Sequence, residues 1–142
     1  MKKLTMLGTL LAAVAISGCS VQSAELTAKD LQHHRFELLT LDGTPVIAQH
    51  GGKPSIEFGE KMHVSGAMCN RFMGQGQLEN NLLTVKQLAS TQMMCSDPLL
   101  NKGDQLIGEM LQKGVKVSLQ SNQLTLTEGP HVLVYRAKEW VN

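Results

Sequence analysis

Two short runs hold most of the side chains that could do chemistry. The first is Gly66-Ala67-Met68-Cys69-Asn70-Arg71-Phe72-Met73-Gly74, and the second is Thr91-Gln92-Met93-Met94-Cys95. A cysteine can act as a nucleophile when a base, commonly histidine, lies beside it. Five histidines are present (His33, His34, His50, His63 and His131), but none stands at a spacing diagnostic of a Cys–His pair. Six methionines fall between Met62 and Met110, and soft thioethers such as Met62, Met68, Met73, Met93 and Met94 suit Cu(I). Methionine is equally an adaptable core filler and a frequent component of promiscuous binding surfaces. The bland reading is preferred for both sets: no catalytic residue, no metal site and no cofactor. Asn70 suits a tight backbone, and Arg71 suits either a surface anion contact or a structural pair with an acid such as Glu57 or Asp97. Asn70 and Arg71, with the neighbouring methionines, form the candidate interaction surface.

The third cysteine belongs to a different kind of signal. Lys2 and Lys3 precede the apolar stretch Leu4–Ile16, which is too short to span a bilayer as a helix. A basic start, a short apolar middle and a small-residue end read as a secretory signal over residues 1–18. Ile16-Ser17-Gly18-Cys19 resembles the bacterial lipobox, in which the cysteine is acylated and becomes the first residue of the mature chain. Two or more acyl chains give a durable anchor where one does not. Ser20 stands where inner-membrane lipoproteins carry Asp, so resemblance to Gram-negative lipoproteins implies the outer membrane, facing the periplasm. In that oxidising compartment, with Cys19 committed to lipid, Cys69 and Cys95 most simply form one disulfide. Its loop predicts about 3–4 kcal/mol of stabilisation in the chain-entropy model. Two free buried thiols, or one reactive thiol, are the competing readings.

Composition narrows the function classes further. Removing 18 of 142 residues leaves a chain of single-domain size. Loss of Lys2 and Lys3 takes the formal net charge from +1 to −1, and no basic patch stands out, which argues against nucleic acid. Phe36, Phe58, Phe72, Tyr135 and Trp140 are too few to form stacking platforms for sugars or bases.

The elements that must position these residues follow from periodicity. Residues 19–26 read as a polar tether and 27–142 as the folded domain. Thr27 and Asp30 resemble a capping box for a short helical turn over 28–33. Strands are expected over 34–41, 46–47, 55–59, 62–66, 72–78, 82–86, 88–94, 115–119, 124–127 and 132–135. Asp42-Gly43-Thr44-Pro45 and Glu79-Asn80-Asn81 are turn chemistry. Asp97 as N-cap, Pro98 at the first position and Gly114 as C-cap frame one late helix near residues 98–113. Its apolar stripe is Leu99, Leu100, Gly103, Leu106, Ile107, Met110 and Leu111. Gly103 and Gly108 each weaken it by about 1 kcal/mol relative to Ala. The sum is α+β: a curved antiparallel sheet of about eight short strands, a partly open barrel, wrapped on one helix.

The Cys-Asn-Arg-aromatic-x-Gly run (69–74) and the Thr-x-Met-x-Cys run (91–95) ahead of the helix resemble the two signatures of the META domain family. With the lipobox, Leu31–Phe36 and Phe58–Met62, the chain is most similar to the small heat-shock lipoproteins of that family, the HslJ type. The resemblance spans nearly all of 27–140 and implies one α+β domain. It further implies no cofactor, and an association with heat or envelope stress and with antibiotic tolerance, novobiocin in particular; that the chain is not an enzyme is read from its residues. One departure is Lys102-Gly103-Asp104, where relatives usually carry a better helix former and often Glu; it weakens the helix on paper. Two functions from different classes fit. One is a membrane-tethered binding or assembly module with an envelope protein as partner. The other is a carrier holding a lipid or small apolar ligand in the sheet–helix core, where glycines would leave a gap.

Overall fold

A computed structural model describes residues 13–15, 17–18, 24–48 and 52–138. Cys19, His50 and Trp140 lie outside the described residues. The chain forms helix α1 (Ala28–Leu31), then strands β1 (His34–Leu41), β2 (Thr44–Pro45), β3 (Ser55–Phe58), β4 (His63–Ala67), β5 (Arg71–Glu79) and β6 (Leu82–Ser90). Helix α2 (Pro98–Lys113) and strands β7 (Val115–Gln120), β8 (Gln123–Glu128) and β9 (His131–Lys138) follow.

All neighbouring strands are antiparallel, in the order β2-β1-β3-β4-β5-β6-β7-β8-β9, and β1 also pairs with β9. That last pairing, with Leu38 opposite Tyr135 and Leu41 opposite Leu133, closes eight strands into a barrel and leaves β2 as an addition. The expected partly open barrel is therefore closed. Its narrowest seam is β6–β7, held by two residue pairs, Leu82–Lys116 and Leu83–Val115, where α2 interrupts the strand sequence.

Alternation drives the packing. In β5 the residues Phe72, Gly74 and Gly76 lie on the inward face while Arg71, Met73, Gln75 and Gln77 face out. Inward residues of β1, β3, β8 and β9, including Phe36, Leu38, Ile56, Phe58, Leu124 and Tyr135, complete one continuous core. Phe36 and Phe58 meet edge to face at 6.0 Å. Burial pushes the Tyr135 phenol above its ordinary range, so it stays neutral.

Helix α2 starts and stops on its caps. The Asp97 side chain accepts from the Leu99 amide at 2.9 Å, and Gly114, at φ 109°, ends the helix with its amide on Met110 O. Leu100, Gly103, Leu106, Ile107, Met110 and Leu111 are buried against the sheet. Gly103 belongs there for steric reasons: a Cβ would sit 2.7 Å from Met68 Sδ and 2.9 Å from Leu41 Cδ1.

Three strand expectations are corrected. The second strand is Thr44–Pro45, not 46–47; Val46 instead turns inward with its amide on Leu39 O, and Ile47 is exposed. The runs 82–86 and 88–94 are one strand, β6, kinked at Gln87 (φ 53°), where the β5–β6 register shifts. That strand ends at Ser90: the Thr91 amide still bonds Arg71 O, but the Asn70 side chain takes the Thr91 hydroxyl and both the amide and the carbonyl of Met93.

Candidate functional site

The two signature runs meet at one end of the barrel, over the N-terminal half of α2. Residues 68–70 and 91–96 lie outside regular strands, so their backbone amides need partners other than a ladder. Side chains supply those of Cys69, Asn70, Met93 and Cys95, while the Met68 and Thr91 amides bond the Asn70 and Arg71 carbonyls. Asp104, on α2, accepts from the Cys69 amide at 2.9 Å and the Asn70 amide at 2.8 Å through one oxygen, and from Asn70 Nδ2 through the other. Asn70 Nδ2 also donates to Met93 O at 2.9 Å, and Asn70 Oδ1 accepts from the Met93 amide at 2.7 Å and the Thr91 hydroxyl at 2.9 Å. One turn earlier on α2, Asn101 accepts from the Cys95 amide and donates to its carbonyl, at 2.9 and 2.8 Å. Helix α2 thus grips the backbone of both cysteines, and Cys69 and Cys95 are joined by a disulfide with Cα atoms 5.9 Å apart.

This arrangement divides the candidate surface. Asn70 is buried, at 8% exposure, with its amide saturated; it is an internal clamp rather than a contact residue. Arg71, the next residue, faces solvent, and neither proposed acid pairs with it: Glu57 bonds Arg35 across the β1–β3 ladder at 3.2 Å, and Asp97 caps α2. Among the described residues the Arg71 guanidinium has no ion-pair partner. The methionines divide too. Met62 and Met68 are core, whereas Met73, Met93 and Met94 are 52%, 66% and 86% exposed.

Beside the disulfide lies an open cleft of about 560 Å³. Its floor is apolar, with Pro54, Ala67, Met68, Leu100 and the disulfide itself, and its rim carries Lys53, Arg71 and Met93 on one hand and Asp97 on the other. The barrel interior offers no comparable space at its glycines. A Cβ at Gly66, Gly74, Gly76 or Gly103 would fall within 3.0 Å of a neighbouring atom, so these positions record close packing rather than the gap expected for a carrier.

The disulfide leaves neither sulfur as a thiolate, so a Cys69 nucleophile is not available in this form. Among the described residues, no three His, Cys, Asp or Glu side chains converge as metal ligands.

Sequence reasoning missed Asp104, Asn101 and Lys53. Asp104 read as a weak point of the helix, yet it organises the whole site. The available signal was Asn101 and Asp104, polar residues at i and i+3 flanking an apolar stripe, just after two unpaired motif segments. A second carboxylate, Asp42, ties the β1–β2 turn to the start of β9 by accepting from the Val132 amide at 2.8 Å and approaching His131 Nδ1 at 2.9 Å. Partial burial raises its pKa, but the hydrogen bonds from His131 and Val132 and the charge of Lys102 outweigh it, leaving the carboxyl below its ordinary value.

Comparison with known proteins matches the META domain family model over residues 29–140. Heat shock protein HslJ of Escherichia coli (strain K12) is 47% identical over 128 residues, covering 89% of this chain and 91% of that protein. One solved NMR structure is 50% identical, with a TM-score of 0.74 over 78% of this chain and 94% of its own. A second, from Burkholderia xenovorans, shares the fold at 19% identity, with a TM-score of 0.61 over 93% of this chain and 99% of its own. With both signature runs on one clamped pole of a closed barrel, the chain belongs to the META domain family.

Proposed function

We propose that this chain is a non-enzymatic lipoprotein of the bacterial envelope. It would be anchored in the outer membrane by lipid on Cys19, face the periplasm, and act in heat or envelope stress and novobiocin tolerance as a binding or assembly module. The relation to a protein named for heat shock supports the stress setting, and the lipobox at Ile16–Cys19 supports the anchor.

The observation that carries the binding role is the contrast at residues 70 and 71. Every hydrogen-bonding group of the Asn70 side chain is turned inward to rigidify the pole, while Arg71 and Met93 are left outside on the rim of an open cleft. A rigid scaffold presenting exposed methionines and a cation is a surface built for contact rather than for chemistry. A lipid anchor raises the local concentration of such a surface near envelope partners.

The test is rescue of a deletion strain under heat and novobiocin. Arg71→Glu in the full chain should fold, accumulate to wild-type level and fail to restore survival. Full restoration by Arg71→Glu would contradict the reading. Cys19→Ala should shift the protein from the membrane to the soluble fraction.

A further inference from the structure

We propose that the Arg71 pole docks a protein segment carrying carboxylates beside apolar side chains, and that the bilayer holding the anchor is not what it contacts. The inference rests on the Cys19 anchor and adds the direction in which the domain points.

The tether enters at the opposite end of the barrel. The Leu26 amide donates to Asn81 Oδ1 at 2.6 Å, at the tip of the β5–β6 hairpin, and Leu26 packs on the core. Strand β5 runs from that tip to Arg71. Its eight residue steps of about 3.3 Å put the two poles up to about 26 Å apart along the strand. Between Cys19 and Leu26 the chain has seven links, spanning at most about 25 Å when fully extended and about 15 Å as a flexible coil. Turning the Arg71 pole down onto its own membrane would require pulling this tether well beyond its coil length, close to full extension, so the upright arrangement is favoured. The cleft is held toward the aqueous side, where it meets proteins.

Charge selects the kind of protein. Lys53 and Arg71 stand on the cleft rim with no ion-pair partner among the described residues. Asp97 is the acid on that rim, and its side chain caps α2. Asp104, nearby, is occupied by the Cys69 and Asn70 amides. The cations are therefore the free charges of the rim, above an apolar floor of Pro54, Met68 and Leu100. Carboxylates on a partner complement the rim, and apolar side chains complement the floor and Met93.

Two measurements test this on the lipidated full chain. In vesicles of phosphatidylethanolamine and phosphatidylglycerol containing a headgroup-quencher lipid, a fluorescent amino acid at position 120, near the tether, should be quenched several-fold more than one at position 94. If the protein floats with the vesicles and position 94 is quenched as strongly as 120, the orientation is wrong. If the protein does not float, the anchor reading itself falls, and the orientation with it. Separately, a labelled peptide alternating Glu and Leu should bind, and a Lys–Leu counterpart should not. Lys53→Glu with Arg71→Glu should weaken the Glu–Leu peptide about tenfold or more. Equal binding of both peptides, or no response to the double reversal, would overturn the partner chemistry.

Discussion

The two ends of the barrel solve the same problem in different ways. At the tether end, the β5–β6 hairpin closes through Asn80 and Asn81, both in the left-handed region (φ 50° and 61°), and the backbone does most of the work: Asn81 O accepts from the Val117 amide. One side chain, Asn81, finishes it by receiving the Leu26 amide. At the signature end, two segments leave their ladders together, and no turn can satisfy both. There the chain uses a carboxylate, two amides, a hydroxyl and a disulfide. Dense side-chain hydrogen bonding marks the place where the backbone departs from regular structure. It is also what allows the cleft beside it to be open without being loose.

Breaking that pole should cost most. Replacing Cys69 and Cys95 together by Ser should lower stability by about 3.5 kcal/mol for the loop of 26 positions, read as a lower urea midpoint. Asp104→Ala should cost about 3 kcal/mol, because three donors lose their acceptor in a part-buried setting, with hydrogen exchange rising at the Cys69 and Asn70 amides. At the tether end, Asn81→Ala should cost only about 1–2 kcal/mol, for one hydrogen bond and a left-handed backbone position.

The two helix glycines sharpen the same contrast. Gly103→Ala should destabilise by about 1–2 kcal/mol, since its Cβ would press on Met68 and Leu41 beneath the signature pole. Gly108→Ala should stabilise by up to about 1 kcal/mol, since its Cβ meets nothing nearer than Leu88 Cδ2 at 3.9 Å. Opposite signs in thermal melts check both at once.

A smaller effect concerns acid. The Asp42 carboxyl is held below its ordinary value in the folded chain, so its contribution is complete above the unfolded carboxylate range and is lost as pH falls through the folded value. Asp42→Asn should therefore flatten part of the acid limb of the stability–pH curve.

Much of this is legible in local sequence signals, and the exceptions have one cause. Strand β1 and helix α2 were readable because alternation, caps and an apolar stripe are local signals. The end of β6 was not. Met93 and Met94 look like strand residues, and only the capture of Met93 by Asn70, 23 positions away, removes them from the ladder. Asp104 was misjudged for the same reason: its partners are amides 34 and 35 positions earlier, so within the helix it read only as a poor helix former. Asn70 and Arg71 read as one surface in sequence because they are adjacent in the motif. Strand alternation and the Asp104 contact then send one inward and the other out.

The central claim is that the signature pole is a rigid platform whose exposed residues meet an envelope protein. The direct measurement is in-cell photo-crosslinking of the full chain, with the crosslinking residue at position 93, 94 or 120 and Arg71 kept. The account predicts one discrete protein adduct shared by positions 93 and 94, weakened by Lys53→Glu with Arg71→Glu, and absent at 120. Equal capture at all three positions, or an adduct at 93 and 94 that survives the double reversal unchanged, would contradict it.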